Sequence, residues 1–242
     1  MDHLFSISTI IFIGLILLFY GMAYLILNKQ AYFLISGFNT RSENEQKELI
    51  KQGFPQATDK LMLIIGIILT MGLVFHLVQV RYALDAAMIV MILLVFGGFI
   101  YLQKYEIPEK RKRGYGKAVL ITLLSLLVVG AISISGFSSP KVTMTDNAIH
   151  ISGMYGIEWS IDSIENVELL DELPQIKRRT NGFAFAGHLK GYFLLEELGK
   201  GKLFIQGDQK PYLLVQANDT YVILNGEQVE DWYHMLKEAI VK

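Results

Sequence analysis

Apolar and polar positions are distributed unevenly along this chain. Four long stretches are apolar on every side of a helical wheel. They run from Leu4 to Leu27, Leu61 to Val80, Ala86 to Gln103 and Ala118 to Gly136. None contains Asp, Glu, Lys or Arg, and His76 is the one histidine among them. A helix rises about 1.5 Å per residue, so roughly 20 apolar residues cross the hydrocarbon of a bilayer. A buried soluble helix is rarely apolar all round at this length. The pattern predicts four transmembrane helices within residues 1–138.

Beyond residue 138 the period changes. Short β-type runs alternate with turn signals: Val142 to Thr145, Ala148 to Ser152, Gly156 to Ile161 and Ile164 to Leu170. After Asn181-Gly182 come Phe183 to Ala186, Tyr192 to Leu195, Lys202 to Ile205, Tyr212 to Gln216 and Tyr221 to Leu224. Asp146-Asn147 and Asn218-Asp219 read as hairpin turns, and Gly199-Lys200-Gly201 as another. The chain closes with an amphipathic helix in which Val229, Trp232, Tyr233, Leu236 and Ile240 share one face. Asn225 is its expected N-cap, with Gln228 three residues on. Trp232 and Leu236 are expected in the core of a domain spanning 139–242.

Lys and Arg in short loops set orientation. The first loop carries Lys29, Arg41, Lys47, Lys51 and Lys60, and the third carries Lys104, Lys110, Arg111, Lys112, Arg113 and Lys117. The second carries Arg81 alone. That is eleven (five plus six) against one, which puts the first and third loops in the cytoplasm. Both termini and the C-terminal domain are then expected outside. A cleaved signal peptide is the alternative for the first run. It is disfavoured because Met1-Asp2-His3 lacks a basic residue and the run exceeds an h-region of about 7–15 residues.

Composition adds exclusions. Cysteine is absent and net charge is −1. Disulfides, thiolate chemistry and a general nucleic-acid-binding field are excluded. Ionisable groups inside membranes mark ion and proton paths, and His76, near the end of its helix, is read as interfacial. Gly66, Gly72, Gly97 and Gly98 permit close helix packing. No HExxH, G-x-S-x-G or P-loop spacing occurs. Neither a catalytic residue nor a cofactor or metal site is expected, and the chain is read as non-enzymatic. Lys177, Arg178, Arg179 and Lys190 are the candidate ligand-binding residues, for anionic headgroups or an envelope polyanion. The competing reading is a solvated loop. Lys110 to Arg113 is read chiefly as a topology determinant, with lipid binding as the alternative.

Ser42 to Gly53 reads as a short polar helix, with Ser42 and Glu45 placed as in a capping box. Two resemblances follow from motifs. Leu34-Ile35-Ser36-Gly37-Phe38-Asn39-Thr40, then a charged segment, then a new helix, resembles a family of small bacterial membrane proteins with an "iaGyNt" motif. The likeness covers about residues 8–103, and that family carries no known activity. Ile151-Ser152-Gly153-Met154-Tyr155-Gly156, Leu173-Pro174, Arg179-Thr180-Asn181-Gly182 and Gly191-Tyr192-Phe193 occur in an order similar to the bacterial PH-domain family. That likeness implies a PH-like barrel of six or seven strands closed by the terminal helix. The expectation is a multi-pass protein of the bacterial plasma membrane, with the lipid bilayer as its first partner. It presents a PH-like interaction domain outside to another membrane or envelope protein, an anionic polymer or a lipid. A small-solute or ion transporter, or a cytoplasmic lipid-binding PH domain, is the alternative.

Overall fold

A computed structural model describes residues 7–145 and 147–240. The expected positions Leu4 to Ser6 and Asp146 lie outside the described residues. The chain forms two compact units, Met1–Val128 and Val129–Lys242.

The first unit is helical. α1 is Ile7–Asn28, α2 Glu43–Gln52, α3 Phe54–Leu77 and α4 Ala83–Leu102, and α5, Pro108–Phe137, continues into the second unit. Among the described residues four stretches are long and apolar enough to cross a membrane: Ser8–Asn28, Phe54–Leu77, Ala83–Tyr105 and Pro108–Phe137. Two helices begin well before their apolar runs, α3 at Phe54 rather than Leu61 and α5 at Pro108 rather than Ala118. Proline explains both starts. Pro55 and Pro108 occupy first-turn positions, where a missing N–H leaves no helical hydrogen bond unmade. Apolarity marks the part that meets lipid, while the prolines mark where helix begins.

α3 packs between α1 and α4, with Phe12, Ile65, Leu69 and Ala87 at the centre of the contact. Gly66, Gly72 and Gly98 lie in these contacts as expected. A β-carbon on Gly66 would sit 3.0 Å from the Tyr20 ring, whereas Gly97 faces open space. At the other end of α1, Ile26, Ile35, Phe38, Leu49 and Ile107 form a second apolar cluster. The segment after α1 is therefore folded against the bundle. Gly37 supplies its turn (φ +77), and Ser42 caps α2 by accepting from the Glu45 N–H at 3.5 Å.

Among the described residues the second unit carries nine strands. β1 (Val142–Met144), β2 (Ala148–Ile151) and β3 (Ile157–Ser160) form an antiparallel sheet. β4 (Ile164–Leu170), β5 (Ile176–Phe185), β6 (His188–Leu195), β7 (Gly199–Ile205), β8 (Tyr212–Ala217) and β9 (Thr220–Leu224) form another, in the order β4-β8-β9-β7-β6-β5. β9 inserts between β8 and β7 and runs parallel to β7. β4 and β5 are the edges of this sheet, so the strands do not close into a barrel.

The central strands are buried on both faces and alternate strictly. Leu213, Val215, Val222 and Leu224 point into a core shared with Ile149, Ile151 and Leu236 of α6 (Val229–Ile240). Tyr212, Leu214, Tyr221 and Ile223 point into the opposite core with Phe193 and Leu203. Successive strand residues face opposite ways, so a doubly covered strand reads as one apolar run. The Tyr221 hydroxyl donates to the Phe193 carbonyl at 3.2 Å, and burial pushes it up to about 12.

Several sequence expectations are corrected. Gly199-Lys200-Gly201 belongs to β7, not to a turn, because Gly201 lies beneath the Tyr221 ring, where no side chain fits. Asn225 does not cap α6. Its Oδ1 accepts from the Gln206 N–H at 2.7 Å and its Nδ2 donates to the Gln209 carbonyl at 2.8 Å, bracing the β7–β8 connection. Leu236 is fully buried as expected, but Trp232 is only half-buried and Ile240 is exposed. The Asn218-Asp219 turn is present, with both residues at positive φ (52° and 58°), as a type I′ hairpin requires.

Candidate functional site

The basic residues expected to act together do not converge. Lys177, Arg178 and Arg179 lie on β5 and are exposed, so this stretch is edge strand rather than loop. Lys177 approaches Glu196 at 3.8 Å. Two register shifts, between Ile176 and Arg178 and between Arg179 and Asn181, interrupt the alternation that would have disclosed the strand. Lys190, on β6, is buried, and its Nζ donates to the Ser135 carbonyl at 3.0 Å and the Ser138 carbonyl at 2.9 Å. These carbonyls end α5, where a cation is favoured. Burial pulls the Lys190 ammonium below its usual range. Lys190 is thus a clamp on the last turn of α5. Beside it, Phe137 meets the rings of Phe183 and His188 edge-on, with centroids 5.1 and 4.9 Å away.

The motif residues of this domain do meet, in a structural knot. Tyr155 takes a positive φ of 71° and its hydroxyl donates to Asn181 Oδ1 at 3.4 Å. Its ring stands edge-on to Tyr192, centroids 5.9 Å apart. Lys202 Nζ donates to the carbonyls of Tyr155 (3.0 Å) and Gly156 (3.1 Å) and lies 5.0 Å from the Tyr192 ring centroid.

A larger feature lies in the first unit, where the first and third loops meet. A cavity of about 770 Å³ opens there, within the range of ligand pockets. The Arg41 guanidinium donates to Glu106 Oε2 at 2.6 Å and lies 3.8 Å from Glu45. Glu106 is buried, and its other oxygen accepts from the Ile107 N–H at 3.0 Å. Lys110 pairs with Glu45 across the loops. Ser36 and Thr40 line the cavity near this network, as do Arg113 and Lys117 of α5. Met22, Ile26, Met62, Leu102 and Ile121 form its apolar side. Gly114 lets α5 approach here, since a β-carbon would collide with the Gln103 side-chain oxygen.

The hydrogen bond from Lys110 holds the Glu45 carboxylate below the usual carboxylate range. A carboxylate depressed by folding contributes fully above its unfolded value, and the contribution is lost as pH falls through the folded value. Amide protection of residues 36–46, corrected for intrinsic exchange, is therefore expected to hold from pH 7 to 5 and to fall below about pH 4. Glu45→Gln should lower that protection already at pH 7.

The cavity escaped sequence reading because its residues come from three separate segments. The available signal was a carboxylate in each basic loop, Glu45 and Glu106, each within reach of the other loop's cations. His76 sits in the last turn of α3 with Nε2 buried and without a hydrogen-bond partner. Among the described residues no group of three or more His, Asp or Glu side chains gathers to hold a metal ion.

Residues 7–106 match the family model DUF3784, a domain of unknown function. The DUF3784 region coincides with the part that carries the Leu34–Thr40 motif. It takes in α1 to α4 and the cavity residues Ser36, Thr40, Arg41, Glu45 and Glu106. Lys110, Arg113 and Lys117 lie beyond the DUF3784 match. Neither a curated protein nor a solved structure matches the chain.

Proposed function

We propose that this chain is a non-catalytic, multi-pass protein of the bacterial plasma membrane that presents its β domain, as a binding module, on the extracytoplasmic face. The observation that carries this reading is charge asymmetry. Eleven Lys and Arg (five plus six) lie in the first and third loops against one in the second. The ion pairs between Arg41 and Glu106, and between Lys110 and Glu45, support a common side for those two loops. Four spans return the chain to the side on which it starts. The motif likeness to bacterial PH domains supports binding of a protein, polymer or lipid rather than catalysis.

Topology is directly testable because the chain has no native cysteine. Single cysteines at the exposed positions Lys51, Lys112 and Glu238 are labelled in intact cells with a membrane-impermeant maleimide. Position 238 is expected to react in intact cells, and 51 and 112 only after lysis. The inverse pattern would place the β domain in the cytoplasm and end this proposal.

One observation favours the second reading, transport. Asp59, in the second turn of α3, is 4 % exposed. It lies ahead of the apolar run, at the loop end of α3, where a buried carboxylate could take part in an ion or proton path. Substrate-specific flux into proteoliposomes, abolished by Asp59→Asn, would favour transport over the binding reading.

A further inference from the structure

The cavity between the loops is graded from charged to apolar along α5. Lys110, Arg113 and Lys117 recur at three- and four-residue spacing, so they share a helix face. Ala118 and Ile121 continue the wall on the apolar side. Met22 and Ile26 of α1 and Met62 of α3 add to the apolar lining.

Charge within the cavity is not balanced. Four cations line it (Arg41, Lys110, Arg113 and Lys117) against two carboxylates, Glu45 and Glu106. Both carboxylates are engaged by Arg41 and Lys110. Arg113 and Lys117 have no ion pair or hydrogen bond among the described residues, and their side chains are exposed. Two positive charges therefore face the same opening as two hydroxyls, Ser36 and Thr40. The Thr40 hydroxyl donates to the Gly37 carbonyl at 2.9 Å, which leaves its lone pairs available.

α5 also stands largely free of other helices. Only 11% of its apolar window is buried, and Leu120 and Leu124 are more than half exposed. In a bilayer the apolar half of the cavity is thus continuous with the acyl region. A soluble anion would use the cationic rim and leave that half empty. A zwitterionic lipid would bring a cation of its own against Arg113 and Lys117.

We infer that the cavity binds one acidic phospholipid of the adjoining leaflet. Its phosphodiester sits between Arg113 and Lys117, its polar headgroup lies beside Ser36 and Thr40, and its upper acyl chains lie along Ile26, Met62 and Ile121. The inference is independent of which face the β domain occupies.

The test is native mass spectrometry of the purified full chain, released from nanodiscs of phosphatidylcholine with a small fraction of phosphatidylglycerol. Wild type is expected to retain one phosphatidylglycerol. The pair Arg113→Gln with Lys117→Gln should weaken retention about 30-fold, taking the usual strength of a basic residue at an anionic surface. The pair Lys104→Gln with Lys112→Gln removes the same charge outside the cavity and should change retention little. Arg113→Lys with Lys117→Arg should keep most of it, and helical circular dichroism confirms that each variant is folded. Equal loss in both Gln pairs would reduce the effect to general surface charge and overturn the site. Equal retention of phosphatidylcholine, or no retained lipid in wild type, would overturn it too. Displacement of the lipid by millimolar glycerol phosphate would assign the rim to a soluble phosphate and refute the lipid.

Discussion

Leu236→Ala is expected to destabilise the β domain by about 3–4 kcal/mol, the range for a fully buried leucine whose cavity cannot collapse. Leu236 has no exposed surface and closes the core formed by Ile149, Val167, Leu213 and Val215. It is the anchor through which α6 covers β4 and β8. Trp232→Ala should be milder, about 1–2 kcal/mol, because the ring is only half-buried and borders an open cleft with Gln228 and Asn225. The ordering is the discriminating result, since sequence periodicity alone would rank the larger side chain first. The full chain suits the measurement. It has two tryptophans, Trp159 on β3 and Trp232 on α6, so their fluorescence during urea unfolding reports the β domain selectively. For a domain of this size the Leu236 variant should melt roughly 10–20 °C lower. A variant that melts with wild type would mean that α6 is not part of this core.

What was legible in the sequence follows from the physics of each signal. Apolar runs disclosed the four spans because lipid demands apolarity on all sides. They misplaced the starts of α3 and α5, which continue into charged turns such as Asp59-Lys60 and Lys110 to Lys117. Period-two alternation disclosed β4, and short unbroken apolar runs disclosed β8 and β9. Alternation failed on β5, where two bulges and an exposed edge leave Lys177 to Asn181 polar throughout. Lys190 looked like a ligand-binding cation, and only the packing of β6 against the end of α5 shows what occupies it. The cavity was the least legible feature. Arg41, Glu45 and Glu106 have ordinary roles as loop charges until three segments fold together, and no local pattern encodes their meeting.

Gly191→Ala should be about as damaging as Leu236→Ala, for reasons of backbone rather than burial. Gly191 has φ +124°, where side chains are rarely accommodated, and it pairs across the hairpin with Gly182, itself at +146°. A β-carbon at 191 would lie 2.6 Å from the Asn181 carbonyl oxygen, 2.7 Å from the Gly182 α-carbon and 3.3 Å from the Tyr155 ring. Two of these neighbours are backbone, so relief requires the β5–β6 hairpin to open. Opening it would displace Asn181, which receives the Tyr155 hydroxyl, and Tyr192, which carries the Tyr155 ring and Lys202. A strained φ costs about 1–2 kcal/mol and overpacking about 1–3, so the sum is about 2–5 kcal/mol. Gly199→Ala separates the two contributions. Its φ is +73°, but nothing lies within 4 Å of the added carbon. That variant should lose only about 1 kcal/mol. Urea unfolding followed by tryptophan fluorescence measures both. Equal losses at 191 and 199 would show that steric closure at the Gly182–Gly191 pair contributes nothing. The Gly191-Tyr192-Phe193 motif would then have no structural account through its contact with Tyr155.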